Sequence, residues 1–180
     1  MMTTTITPKT CYQLLDKYGI DGNVLKHVKK VEKIATHLGK KLKEKEKNTN
    51  LNLITTSALL HDIGKKLANH TKMNHIEAGT IILKGEELPE HAEICRTHSI
   101  YAFYTDAEYP KTWEAKIVNY ADKRVIEDKI VTLDERLNYF RKKINKNHIK
   151  KIEKNLKLLE QEILEKIQTN IKLDELKQEK

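Results

Sequence analysis

The sequence is poor in glycine and proline, with 6 and 3 among 180 residues. A strand-rich fold needs many turns, and turns draw on those two residues, so the scarcity points to helices. Only two cysteines occur, Cys11 and Cys95, and neither belongs to a CxxC or zinc-finger spacing. They suit reduced, buried thiols. The N-terminal run MMTTTITPKT has no apolar core of the secretory kind, so the expected setting is cytoplasmic. No stretch approaches the ~20 consecutive apolar residues of a membrane span, and no membrane partner is expected. Charge, by contrast, is abundant. Charged residues make up 33% of the chain against 38% hydrophobic, with a net charge of +8. That is polar for a globular protein, but the Leu and Ile content is too high for a disordered one. The positive balance favours anionic partners, namely phosphates, nucleotides or nucleic acid.

The length suits one domain plus an extension, here divided as residues 1–140 and 141–180. Thr7-Pro8 predicts a helix start, with a stop near Gly19. A second helix begins around Asp21–Asn23 and carries Val24, His27, Val28, Val31, Ile34, Ala35 and Leu38 at helical spacing. After the loop Asn48-Thr49-Asn50, the apolar stretch Leu51 to Ile63 predicts a buried helix broken at Gly64. Further helices are expected over His75 to Leu83, from Leu88-Pro89 through His98, and from Thr112 through Trp113, Ile117, Val118, Ala121 and Val125. Residues 99–111 read as an aromatic-rich loop. Its Tyr101, Phe103, Tyr104 and Tyr109 either fill a gap between helices or form a lid on which a base stacks. Two basic clusters stand out, at Lys40–Lys47 and Arg141–Lys154. They read first as solvated helix faces. A nucleic-acid patch is the less favoured reading, because no aromatic residues interleave with the first cluster. In the tail, Ile149, Ile152, Leu156, Leu159, Ile163, Ile167 and Ile171 recur about every 3.67 residues, close to a straight helix. That stripe must pack either back onto the core or onto a second copy of the chain, in which case the tail makes a homodimer.

Eight histidines are present: His27, His37, His61, His70, His75, His91, His98 and His148. A single histidine on an apolar face is usually a hydrogen-bonded core residue. The segment Ala58-Leu59-Leu60-His61-Asp62-Ile63-Gly64-Lys65 is different, because aspartate is almost never buried unless it is paired or bound to metal. With His27 upstream, His75 and His98 downstream, and Asp122 on another apolar helical face, the series has the residue types of a mixed nitrogen and oxygen metal site inside a helical bundle.

These residues resemble the HD-domain superfamily of metal-dependent phosphohydrolases in its HDIG-type form. The order His27, His61-Asp62, Asp122 carries the resemblance. So do the surrounding runs Ala-Leu-Leu-His-Asp-Ile-Gly-Lys at 58–65, Asn-His-Ile-Glu-Ala-Gly at 74–79, Arg-Thr-His at 96–98 and Asn-Tyr-Ala-Asp-Lys at 119–123. The layout is similar to small stand-alone prokaryotic members of that superfamily. The resemblance implies an all-α fold, a compact HD-domain helical bundle with a C-terminal helical extension. It also implies one metal held by His27, His61, Asp62 and Asp122. His75 and His98 suggest a second ion with Asp62 bridging, and His91 is an alternative or additional ligand there, since it lies seven residues from His98 on one helix face. With no thiolate in the set, one or two Mn, Fe, Co or Ni ions are expected, with Mg also compatible. Asp62 would hold both ions, and Lys65 would reach a phosphate oxygen. Lys123 and Arg124 read as bland, and His37, His70 and His148 as surface residues. The expected function is hydrolysis of a phosphate ester or anhydride, most naturally in a nucleotide. A cyclic-nucleotide or RNA-end phosphodiesterase is one alternative, and a non-catalytic metal- or nucleotide-sensing module the other.

Overall fold

The computed structural model describes residues 6–105 and 108–168. The chain is a bundle of helices. They run α1 (Pro8–Lys17), α2 (Gly22–Lys45), α3 (Leu51–Leu60), α4 (Lys65–Ala68), α5 (His75–Gly85), α6 (Pro89–Thr97), a 3₁₀ turn (Ile100–Phe103) and α7 (Trp113–Asp122). A two-stranded hairpin follows, β1 (Val125–Ile126) and β2 (Lys129–Ile130), then α8 (Leu133–Arg141) and α9 (Lys146–Ile167).

The helix starts are chemically specified. Thr7 accepts a hydrogen bond from the Thr10 amide, with Pro8 in the first turn. Asn74 and Glu77 form a reciprocal capping box on α5, and Thr132 and Glu135 form another on α8. Gly19 takes a left-handed φ of 68° and lets the chain turn out of α1 toward α2. Three boundaries depart from expectation. The third helix stops at Leu60, so His61 to Gly64 form a tight turn rather than its last turn. α4 and the hairpin carry no readable pattern, each being too short to repeat a period. The helix bearing Asp122 ends there, and Val125 belongs to β1.

α2 is the central rod and packs against α3, α7 and α9. One hydrophobic cluster joins Ile34 and Leu38 of α2 to Ile117 and Ala121 of α7 and to the tail stripe. A second joins Leu15 of α1, Leu59 and Leu60 of α3, Leu83 of α5 and Cys95 of α6. Both cysteines are free and buried. Among the described residues no helix is long and apolar enough to cross a membrane.

The tail stripe covers the core. Ile149, Ile152, Leu156, Leu159, Ile163 and Ile167 are all buried within the single chain, while Ile171 lies outside the described residues. Polar ties reinforce the docking. Tyr120 donates to Glu160 at 2.6 Å, and the Asn155 amide donates to the Phe103 carbonyl at 2.8 Å. A homodimer through that same stripe would first have to unpack it, at about 1.5–3 kcal/mol per side chain exposed.

Leu156 is fully buried and its neighbour Leu158 is half exposed. Leu156→Ala is therefore expected to lower unfolding free energy by about 2–5 kcal/mol. Leu158→Ala should cost about 0.5 kcal/mol or less. Urea titrations of the two variants check which face of α9 is structural.

Candidate metal centre

Five elements converge on one buried cluster. α2 contributes His27, and the turn after α3 contributes His61 and Asp62. His75 opens α5, His98 caps the end of α6, and Asp122 closes α7. The turn can approach α5 because Gly64 has no side chain: a methyl group there would be driven into the backbone of Gly79 and His75. Gly79 in turn leaves room for Cys95, whose sulfur would lie 2.7 Å from a β-carbon at that position.

The histidines are held by their outer nitrogens. His61 Nδ1 lies 2.7 Å from the Ala58 carbonyl, His98 Nδ1 2.5 Å from the Cys95 carbonyl and His27 Nδ1 2.8 Å from the Glu127 carbonyl. A carbonyl can only accept, so each Nδ1 carries a hydrogen and donates. The Nε2 atoms then point inward as ligand atoms, the arrangement of metal-binding imidazoles. The four rings stand in a row, with centroids 5.5 Å apart for His27–His61, 4.9 Å for His61–His98 and 5.5 Å for His75–His98.

Asp62 sits between them. Its Oδ2 is 3.6 Å from His27 Nε2 and 3.3 Å from His61 Nε2, and its Oδ1 is 3.6 Å from both His75 Nε2 and His98 Nε2. Asp122 Oδ1 lies 3.0 Å from His27 Nε2 and 3.7 Å from His61 Nε2. Two overlapping groups could each hold an ion, His27–His61–Asp122 and His61–Asp62–His98. The residues fit a metal on an independent observation: His61 Nε2 is buried without a hydrogen-bond partner, facing two carboxylates. A divalent cation satisfies all three groups at once. Imidazoles and carboxylates without thiolate suit an open Mn, Fe, Co or Ni centre.

The electrostatics are strongly biased. Burial opposes ionisation of both carboxyls, yet imidazole and lysine neighbours hold Asp62 and Asp122 well below the usual carboxylate range. Burial would depress His61 too, but Asp62 and Asp122 more than offset it and push it up to about 9. Burial wins at His98, which is lowered. Lys65, expected to reach a phosphate oxygen, here pairs with Asp62, its Nζ 2.6 Å from Oδ2. Lys123 is buried, bonding Asp122 Oδ2 at 2.7 Å and the His98 carbonyl at 2.6 Å, so it orients a candidate ligand instead of facing water. Arg124 is also buried, bonding the Tyr120 hydroxyl and the Val131 carbonyl away from the cluster. Sequence reasoning missed Arg136. Its Nη2 is 4.0 Å from Asp122 Oδ1, its guanidinium stacks over Phe140, and its buried Nε has no hydrogen-bond partner.

The structure does not bring His91 to the cluster. Its Nε2 meets the Thr56 hydroxyl at 2.8 Å, and burial lowers it to about 4. The shared face with His98 is real, but seven residues are two helical turns, about 10.5 Å along the axis. Of the remaining histidines, His70 is exposed, while His37 and His148 are partly covered. The aromatic segment is divided between the core and the surface. Phe103 is buried against Tyr109 with centroids 5.9 Å apart, while Tyr101 and Tyr104 face outward. A cavity of about 820 Å³ opens beside Asp62, and Lys65, Arg96, Tyr101, Lys123, Arg136 and Tyr139 are in its wall.

Comparison with known proteins follows the same residues. The HD domain family matches residues 24–126, a span that includes all six clustered side chains, and the chain belongs to that family. A tRNA (cytidine(56)-2'-O)-methyltransferase of Thermoplasma volcanium is 31% identical over 74% of this chain and 40% of its own length. An uncharacterized protein of Methanocaldococcus jannaschii is 30% identical over 70% of this chain and 80% of its own. Ribonuclease Y of Chloroflexus aurantiacus is 36% identical over 56% of this chain and 18% of its own. The chain thus spans less than half of the methyltransferase it matches. No solved structure matches.

Two outcomes are expected of metal binding. His98→Ala should lower the metal content of protein purified with Mn²⁺, and His91→Ala should leave it unchanged; elemental analysis reads both. Binding an ion must also expel the proton that a metal-free His61 carries below about pH 9. Affinity for Mn²⁺ should therefore rise with pH, by up to about tenfold per unit, and level off near pH 9. Titrations across that range check the slope.

Proposed function

We propose that this chain is a metal-dependent phosphohydrolase that cleaves a phosphate ester or anhydride, with a nucleotide as substrate. The observation that carries the reading is the double-facing Asp62, whose two oxygens address different imidazole pairs. One carboxylate facing two candidate ion positions is the arrangement that in-line displacement at phosphorus uses. Divalent ions bound there supply an activated water near neutral pH and offset charge on the transferring phosphoryl group.

The chain's own residues supply the rest. Asp62 orients the attacking water. Lys65, paired with Asp62 Oδ2, would present its ammonium to a phosphate oxygen were a cation to hold that carboxylate. Arg136 offers a guanidinium edge to a second one, its plane fixed by Phe140. Lys123 keeps Asp122 from rotating. Tyr101 and Tyr139 offer the nucleoside apolar rims, and the cavity volume lies within the range of small-molecule sites. The relatives named for tRNA methylation and as a ribonuclease favour an RNA-end phosphodiesterase as the second reading. The buried, unpaired Cys11 and Cys95 support a cytoplasmic setting.

Purified protein loaded with Mn²⁺ is expected to release phosphate or a mononucleotide from at least one member of a panel of nucleotides, dinucleotides and cyclic nucleotides. Asp62→Ala should abolish both metal content and turnover with the helical circular dichroism retained. Nucleotide binding without turnover across the panel would instead make the chain a sensor.

Arg136→Leu is expected to raise KM for the active substrate about tenfold or more, since a charged hydrogen bond to phosphate is worth roughly 1.5–3 kcal/mol. Metal content should not change, and steady-state kinetics with elemental analysis separate the two effects.

A further inference from the structure

The basic stretch from Arg141 to Lys154 holds seven lysines and arginines and a single acid, Glu153. That acid is engaged by Arg141 at 2.6 Å, and it lies across α9 from a second, mixed flank. On that flank His148, Lys151 and Asn155 fall within an arc of about 60°. Asn155 fixes the flank to the 3₁₀ turn through the Phe103 carbonyl. The turn, in its own sequence segment, supplies the aromatic residues that the basic stretch lacks.

Tyr101 lies in the 3₁₀ helix and Tyr104 caps it, the Tyr104 amide donating to the Tyr101 carbonyl at 2.9 Å. They are 51% and 37% exposed, among the most exposed large apolar side chains described. The Tyr104 ring lies 4.2 Å from the His148 ring, and Lys151 sits 5.6 Å above it. Tyr101 is at the same time in the wall of the metal cavity. Beside the cavity mouth, Lys143 bonds the Tyr139 hydroxyl and covers that ring at 4.2 Å. The other lysine cluster is used differently: Lys45 pairs with Gln168, and Glu46 with Lys166.

We propose that Tyr101, Tyr104, His148 and Lys151, with Lys143 at the cavity mouth, form a binding platform for single-stranded nucleic acid whose terminal nucleotide enters the metal cavity. Bases stack on exposed rings whatever their identity, and phosphates follow the lysines, the two components of sequence-tolerant single-strand binding. A duplex has its bases already stacked and offers the tyrosines nothing. The direction of the strand into the cavity rests on the phosphohydrolase reading, but the platform does not.

The test is binding in EDTA, which removes metal chemistry. A fluorescent oligouridine is titrated with full-length protein and followed by anisotropy. The wild type is expected to bind the single strand in preference to the same strand annealed to its complement, with affinity falling as salt rises. Tyr104→Ala should weaken binding about tenfold, and Tyr104→Phe should restore it. Lys151→Ala should flatten the salt dependence. Lys45→Ala, in the other lysine cluster, should bind as the wild type does. Equal binding by Tyr104→Ala and wild type, or no preference for the single strand, would overturn the platform. Mononucleotide hydrolysis without strand binding would remove the platform alone. Strand binding without any hydrolysis would leave the platform standing and remove the phosphohydrolase reading.

Discussion

Two ionised carboxylates in the interior of a small helical bundle set the terms for everything near them. Asp62 and Asp122 both face His61, and each is nearly closed off from water. Burying such charges costs several kcal/mol apiece unless compensating charge lies within a few ångströms. Compensation comes from Lys65 on Asp62 and from Lys123 on Asp122, with Arg136 beyond. These cations let the chain fold before any metal arrives, but they bond only one oxygen of each carboxylate closely. Lys123 takes the Asp122 oxygen turned from the imidazoles, whereas Lys65 holds the same Asp62 Oδ2 that faces His27 and His61, so a divalent ion there would compete with it.

The orientation of those imidazoles is a consequence of where helices end. The last carbonyls of a helix have no partner within it. His61 follows α3 and takes the Ala58 carbonyl, and His98 follows α6 and takes the Cys95 carbonyl, each three residues back. Each helix end thus satisfies its own backbone and fixes a tautomer in one bond. His27 lies inside α2, where no carbonyl is spare, and its anchor comes from the hairpin turn. Glu127 there adopts a left-handed φ of 56°, and its carbonyl reaches His27 Nδ1. A hairpin of two-residue strands contributes little to the core, and its evident service to the site is that carbonyl.

This explains what could be read in the sequence and what could not. The His-Asp pair, its outer partners and the helical class were legible, since each is a local signal: residue type, spacing and the apolar context. The tail stripe was legible as a stripe, though its partner was not, because periodicity says that a face is buried and not against what. His91 was misassigned by angular reasoning that left out axial rise. Lys123 and Arg136 were invisible for a different reason. A lysine beside an aspartate looks solvated until the fold buries it, and an arginine on α8 gains meaning only when α8 lies against α7. The tyrosines were legible as a possible stacking surface, but their meeting with α9 was not, since Tyr104 and His148 are 44 residues apart and meet only in three dimensions.

The division of labour along the chain follows from these contacts. Every candidate metal ligand lies within residues 24–126, the span shared with the HD domain family. Arg136, Tyr139 and Phe140 line the same cavity from beyond that span. α8 therefore does more than cover the core: it forms part of the cavity wall. A change at Asp62 or His61 alters the candidate ligand set itself. A change in α8 or on the Tyr104 flank of α9 leaves those ligands in place. Because α9 buries its stripe against α2 and α7, which carry His27 and Asp122, it is coupled to the candidate metal ligands through a shared core. The cavity wall thus joins Lys65, Arg96 and Tyr101 from the shared span to Arg136, Tyr139 and Phe140 of α8.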